Sequence, residues 1–533
     1  MAVVSVLRHL VTGCGIIGPV FFVSLLIIHF IWACLIGDAL RGIPGPKTFA
    51  FTKWRLAFED WRGTRTRTIH TLHQKYGPVV RIGPNEVSFN SLSALRTIYG
   101  AGSSFERPAF YRMFDIYGRQ HLFTFHTSAE HAKRKKLLNQ SYSKSTILRG
   151  SVAASIESKV LQFLNLIKSE PETAMGLSKS LHYYAFDNVT WVVFGDWGAT
   201  AALDGVTSDR EILNDITEPT RRKRSWFQIH FPNYTSWAMS RSGLAQYLLR
   251  KISLLPGDKP IAYSGVQDYA LQAWRKYWSN WVQGNDGKPS QGIMRKLLEE
   301  HNVHGKGELT DLDIVAECAD HLDAGLNTTS DTLMFAIWAL SLPHNAHFQQ
   351  HLVAEMTSLT DSDINSDGIP RVEVCDRLPF LDAVIKETLR LYAPIPASQP
   401  RMSMHEVTID GYKLHPGTIA SCQAYSLHRN PEVFPDPLRF DPDRWLGDPD
   451  GVANMKRWWW PFSSGARMCI GMHLAMVEMK TLLAAVHRQY ATVPGPGWES
   501  ISPAITSRFE LVYDDTFVEV KVGISFFFQE SES

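Results

Sequence analysis

Cys469 stands in the run Phe462-Ser463-Ser464-Gly465-Ala466-Arg467-Met468-Cys469-Ile470-Gly471, where one thiol is set between two glycines and beside an arginine. A thiolate that serves as a ligand needs backbone N–H groups to temper its charge, and Gly465 and Gly471 let the chain turn tightly enough to aim them at the sulfur. Arg467 adds a fixed cation suited to bidentate pairing with a carboxylate of a bound group. Beyond the loop, Met472, Met476, Met479, Leu483 and Val486 recur at steps of four and three, so Cys469 lies at the start of an amphipathic helix whose dipole favours an anion. Cys14, Cys34, Cys318, Cys375 and Cys422 read as inert buried thiols. Zinc on Cys469 with His473, or on Cys318 with His321, would lack the paired second half of a structural zinc site.

Other stretches must position such a ligand. Leu381, Val384, Ile385, Thr388 and Leu391 mark one helix face and leave Glu387 and Arg390 on another, which alone is the pattern of a solvated salt bridge. Pro442-Asp443-Arg444-Trp445 follows. A longer helix, Ala316 to Leu340, carries Ala324-Gly325-Leu326-Asn327-Thr328-Thr329 near its middle. A mid-helix glycine costs about 1 kcal/mol relative to alanine, so Gly325 invites a reason. Thr328 and Thr329 also have a plain role open to them, bonding helix carbonyls.

In this order the segments resemble the cytochrome P-450 superfamily, the haem-thiolate monooxygenases. The resemblance implies that Cys469 is the proximal ligand of the iron in haem b, held by the loop with Phe462, Gly465, Arg467 and Gly471. Arg401, closing Ala393-Pro394-Ile395-Pro396-Ala397-Ser398-Gln399-Pro400-Arg401, matches a propionate ligand, and Ile395 to Gln399 would edge the substrate pocket. His131 and Lys135 occupy positions where the family has a tryptophan and an arginine that bind a propionate. Ala324 and Gly325 would leave room for dioxygen, and the Thr328 hydroxyl would hydrogen-bond it. Asn327 is a departure, because the family commonly has an acid there and an amide orients water without ionising. Glu387, Arg390 and Arg444 would form a buried triad beneath the haem. The stretch from His73 to Phe89, punctuated at Tyr76-Gly77-Pro78 and Gly83-Pro84-Asn85, resembles the first β-hairpin, and Phe105, Phe110, Tyr111, Phe114, Tyr117, Phe123 and Phe125 fall in a substrate-contacting loop.

The implied fold is mainly α with small β-sheets, the cytochrome P-450 fold, preceded by one N-terminal transmembrane helix. No lysine, arginine, aspartate or glutamate occurs between Arg8 and Asp38, and Leu10 to Gly37 is long enough to span a bilayer. A cleaved signal peptide is the competing reading, with a shorter apolar core. Arg41, Lys47, Lys53, Arg55, Arg62, Arg65 and Arg67 follow the span against Arg8 before it, which predicts a single-pass protein of the endoplasmic reticulum membrane with its body in the cytosol. The domains are then an anchor over 1–42, a Pro/Gly hinge over 43–46 and a haem-binding monooxygenase domain over 47–533. A cytosolic body leaves the sequons at Asn188 and Asn233 unglycosylated. A net charge of +1 gives no electrostatic case for nucleic acid. Trp281 to Gln291 reads as an exposed loop.

The expected activity is hydroxylation or a related oxidation of a lipophilic small molecule in fungal-type secondary metabolism. The chain shows no flavin or nicotinamide fingerprint, so a separate NADPH-dependent cytochrome P-450 reductase is the expected partner. Two alternatives stay open: a haem-thiolate isomerase or dehydratase needing no external electrons, to which Asn327 points, and a haem-binding partner without turnover, against which Thr328 argues.

Overall fold

The structure, a computed structural model, describes residues 39–169, 175–214, 264–282, 292–303 and 309–495, with isolated residues or short stretches within 21–28, 226–251 and 505–524. The expected anchor and the loop at 283–291 lie largely or wholly outside the described residues. Among the described residues, no helix is long and apolar enough to cross a membrane. Fold class is as expected, mainly helical with small sheets.

The helices that frame the interior are α1 (Trp54–Trp61), α2 (Ser128–Leu138), α3 (Leu177–Phe194), α4 (Asp311–Ser341), α5 (Pro379–Leu391) and α6 (Met472–Gln489). The long central helix α4 starts earlier than its apolar stretch because of a capping box. The Asp313 N–H donates to Thr310 Oγ1 at 3.3 Å and the Thr310 N–H donates to Asp313 Oδ2 at 2.7 Å. Every residue from Thr329 to Ser341 is buried, so this half is packed on all sides, against α5 and α6 among others.

Gly325 has a packing reason of its own. A Cβ there would come within 2.7 Å of Val189 Cγ2, so the missing side chain is what lets α4 lie close to α3. On α3, Asn188 is 1% exposed and donates from Nδ2 to the Tyr184 carbonyl at 2.9 Å.

A four-stranded sheet holds the N-terminal part against the C-terminal part. Its strands are β1 (Val79–Gly83), β2 (Glu86–Phe89), β3 (Arg401–Met402) and β4 (Ile419–Cys422), in the order β1-β2-β4-β3. The first pair is antiparallel with Val79 opposite Phe89, and β2 then runs parallel to β4 with Glu86 opposite Ile419. The hairpin therefore covers Val79 to Phe89, while His73 to Tyr76 finish a helix that Gly77 ends with φ of 96°. Leu40 and Ile43 are buried in the same core cluster as β2, and the Arg81 N–H donates to the Pro44 carbonyl at 2.7 Å. The segment read as a hinge is thus docked on the body, which begins to pack by Leu40.

Candidate active site

The cysteine loop is bent by two residues in the left-handed region, Ser463 at φ 58° and Gly465 at φ 65°. Gly465 is required twice over, since a Cβ there would collide with the Tyr99 carbonyl oxygen. Gly471 is different. Its φ is −81° and a Cβ would meet the Cys469 sulfur at an ordinary 4.0 Å, so the turn does not depend on it. Its contribution is its N–H, which together with that of Met472 points at Sγ. Phe462 accepts the Cys469 N–H at its carbonyl, at 2.9 Å, and its ring packs edge-on against Trp459. Burial pushes the Cys469 thiol up, against those two N–H groups and the Lys135 ammonium, which pull it down. Yet the residue is exposed, so the loop leaves one face of the side chain uncovered.

Basic side chains converge on the same region. The α2 helix, started by a capping box of Thr127 with Glu130, sets His131 and Lys135 one turn apart. Lys135 donates to the carbonyls of Ala466 and Met468 at 2.8 and 2.9 Å, which ties α2 to the cysteine loop. Arg467 donates to the carbonyls of Phe125 and His126 and pairs with Glu106 at 3.2 Å. Arg401 donates to the Tyr111 hydroxyl at 2.7 Å and to the Pro400 carbonyl at 2.9 Å. Sequence reasoning missed a further member, Arg107, which is 4% exposed and donates to the carbonyls of Leu122 and Phe123. Its only signal was an arginine set among aromatics.

Among the described residues, Glu106 is the one carboxylate that forms an ion pair within this set. The strain is electrostatic. Burial, and then Arg401, depress Arg107 to about 9, and burial followed by Arg107, Arg467, Lys135 and Arg401 depresses the His131 imidazole to about 2. A buried group of cations short of counter-charge fits a bound group with two carboxylates. Beside an open thiol with two N–H groups aimed at it, that is the donor set haem requires.

Across the interior, α4 opens a single patch. Between Ile314 and Ser341, Asp320, Asp323, Ala324, Gly325 and Thr328 are the residues that are not buried. Thr328 Oγ1 donates to the Ala324 carbonyl at 2.7 Å, the plain helix-bonding role, and leaves its lone pairs open. Asn327 is 8% exposed. A charged layer unread in the sequence lies at the N-terminal side of this patch. Arg134 pairs with Glu317, whose Oε1 also accepts the Leu122 N–H at 3.1 Å, and the Tyr142 hydroxyl meets His321 Nδ1 at 2.9 Å.

The structure brings Glu387, Arg390 and Arg444 together. Glu387 Oε2 and Oε1 accept from Arg390 Nε and Nη2, each at 2.8 Å, and Oε1 accepts from Arg444 Nε at 3.0 Å. The Trp445 indole and the Asp441 N–H also donate to this carboxylate, at 3.0 and 2.9 Å. Arg390 spends its remaining donors on the carbonyls of His428, Pro437 and Arg439.

Comparison with known proteins places this arrangement. The family model for cytochrome P450 matches residues 44–506. The chain is 32% identical over 460 residues to the cytochrome P450 monooxygenase stcB of Emericella nidulans, covering 84% of this chain and 82% of that one. It is 28% identical to the cytochrome P450 monooxygenase aflV of Aspergillus parasiticus, covering 90% and 89%. To the benzoate 4-monooxygenase bphA of Aspergillus niger it is 27% identical, covering 89% and 92%. Matched along most of its length to these enzymes, the protein belongs to the cytochrome P450 family and is a monooxygenase that binds haem through a cysteine thiolate.

Proposed function

We propose that this enzyme oxidises a lipophilic small molecule in secondary metabolism, with electrons from a separate NADPH-dependent reductase at the endoplasmic reticulum membrane. The observation that carries the reading is the open Cys469 thiol with the Gly471 and Met472 N–H groups at its sulfur, set beside the buried cations. Bound there, haem supplies dioxygen activation, which thiolate donation favours. Cys469 would hold the group through its sulfur, and Arg107, Arg401, Arg467, Lys135 and His131 would receive its carboxylates. Thr328 keeps its proton on the Ala324 carbonyl and must release that bond before it donates elsewhere. Asn327 cannot ionise, so in this reading protons reach the site through water that it orients.

Two features support a membrane location. Of the described residues of the expected span, Phe21, Val23, Leu25, Ile27 and Ile28 are exposed and apolar, with Ser24 the one polar exception. On the body, Trp54, Phe58 and Trp61 of α1 are also exposed, flanked by Lys53, Arg55 and Arg62, a composition suited to the lipid headgroup layer. The facing Trp226 donates from its indole to the Ala57 carbonyl at 2.8 Å, and His230 pairs with Asp60 at 2.8 Å, so two distant segments share this aromatic face.

The test is expression with a reductase in a host lacking the pathway, followed by identification of the metabolite consumed. NADPH-dependent product is expected, together with the red-shifted Soret band of a thiolate-ligated carbon monoxide complex, lost in Cys469→Ala. Product formed without NADPH would replace this reading with the isomerase or dehydratase one.

A further inference from the structure

Asp320 lies one helical turn before Ala324 and two before Thr328, so the three share one stripe of α4, with Asp320 about 6 Å along the axis from Ala324. Its carboxylate faces the loop that carries His121. Oδ2 sits 3.0 Å from His121 Nδ1, and the other ring nitrogen, Nε2, meets the Phe114 carbonyl at 2.9 Å. A carboxylate beside one nitrogen and a carbonyl bonded to the other both favour the charged ring. Burial alone would lower His121, but Asp320 and then Glu317 outweigh it and raise the ring to about 9. In return His121, followed by His321 and Arg107, outweighs the burial of Asp320 and keeps that carboxyl below its usual range.

The pair is not closed on itself. His121 is 1% exposed, whereas the Asp320 side chain keeps 15% exposure, and its Oδ1 has no partner among the described residues. An ionised carboxylate so placed is a fixed acceptor at the edge of the open patch. The walls nearby are apolar and aromatic, with Phe110, Tyr111, Phe114 and Phe123 in edge-on contact. An apolar ring system meeting such a wall would gain area burial but no orientation from it. A single charged acceptor at one end supplies the orientation.

We infer that Asp320, oriented by His121, anchors the substrate, and that the substrate is an apolar molecule carrying a hydrogen-bond donor, a hydroxyl or a protonated amine. The inference rests on the monooxygenase reading and narrows it. It makes Asp320 a substrate-binding residue and His121 a positioning residue.

The experiment titrates the purified, haem-loaded protein with a naphthol, its methyl ether and the corresponding naphthylmethylamine, reading the Soret change on binding. The naphthol is expected to bind about tenfold more tightly than the ether, because a hydrogen bond to a charged acceptor distinguishes them. In Asp320→Leu that preference disappears while haem content stays full. His121→Gln, which keeps a donor toward Asp320 without its charge, is expected to retain part of it. A gain by the amine over the ether that is lost in Asp320→Leu also supports the inference, because an amine bound through the iron would keep its gain in that variant. Equal binding of naphthol and ether by the wild-type protein overturns the inference, and so does a preference that survives in haem-replete Asp320→Leu. A protein lacking the thiolate band with carbon monoxide would overturn the underlying reading instead, which the same samples reveal.

Discussion

Two groups of buried guanidinium ions in this protein are resolved in opposite ways. Around Glu387 the charges are satisfied from within, because one carboxylate takes Arg390 and Arg444 while backbone carbonyls take the remaining donors. Around Cys469, among the described residues, the cations Arg107, Arg401, Arg467 and Lys135 have backbone carbonyls and one tyrosine hydroxyl, with Glu106 the one carboxylate ion-paired to them and Asp320 acting on Arg107 without an ion pair. The first group is a scaffold that folding completes. The second is a socket that only a ligand completes, and burial without counter-charge is what distinguishes it.

The contrast breaks most visibly at Glu387. Glu387→Gln leaves Arg390 and Arg444 buried beside a neutral amide, and we expect a loss of about 3–5 kcal/mol in denaturant unfolding, equal with and without haem. A smaller effect that appears only in the haem-loaded form would place Glu387 in the socket. Arg401→Leu should do the reverse. Haem titration of the apoprotein is expected to show about a tenfold to hundredfold weaker affinity, as for a lost charge-assisted hydrogen bond, while the apoprotein unfolds at the same or a higher denaturant concentration.

The socket also predicts a proton linkage. Apoprotein His131 is depressed to about 2, so it stays neutral while the unfolded chain titrates at its ordinary value, and its contribution to stability is present above that value and lost as pH falls below it. Carboxylates arriving among the cations raise the ring again, so haem binding takes up a proton. Affinity should therefore improve by up to about tenfold between pH 7.5 and 5.5 in the wild type relative to His131→Gln. Parallel curves for the two proteins would remove His131 from the socket. The smallest effect belongs to Lys135, half-buried and bonded to two carbonyls. Lys135→Ala is expected to cost under about 1 kcal/mol in haem affinity, since water screens a partly exposed ammonium.

Legibility in the sequence followed the distance over which each contact is made. The cysteine loop, the central helix and the Glu387–Arg390 pair are local, and their spacing announced them; the arginine that joins the pair lies in a short motif of its own. The His121–Asp320 pair was not legible, because it joins a loop to a helix far along the chain and no spacing encodes such a meeting, and Arg107 was not, because its partners, the Leu122 and Phe123 carbonyls, are backbone groups that no side chain announces. Gly325 shows the limit within a single motif. Its identity was read correctly, but its reason, the approach of Val189, exists only once two helices are packed.

Asn188 has a consequence beyond its place in the core. It is the first residue of an Asn-Val-Thr acceptor, yet its amide is enclosed and bonded within α3. Glycan transfer acts on chains entering the secretory lumen before they fold. A copy inserted with its body on that side would receive a bulky sugar at a position with no room for one. Such a copy could not complete the packing of α3 against α4. With the body in the cytosol, as proposed above, the transfer machinery never meets Asn188, and the enclosed amide is left to its bond within α3.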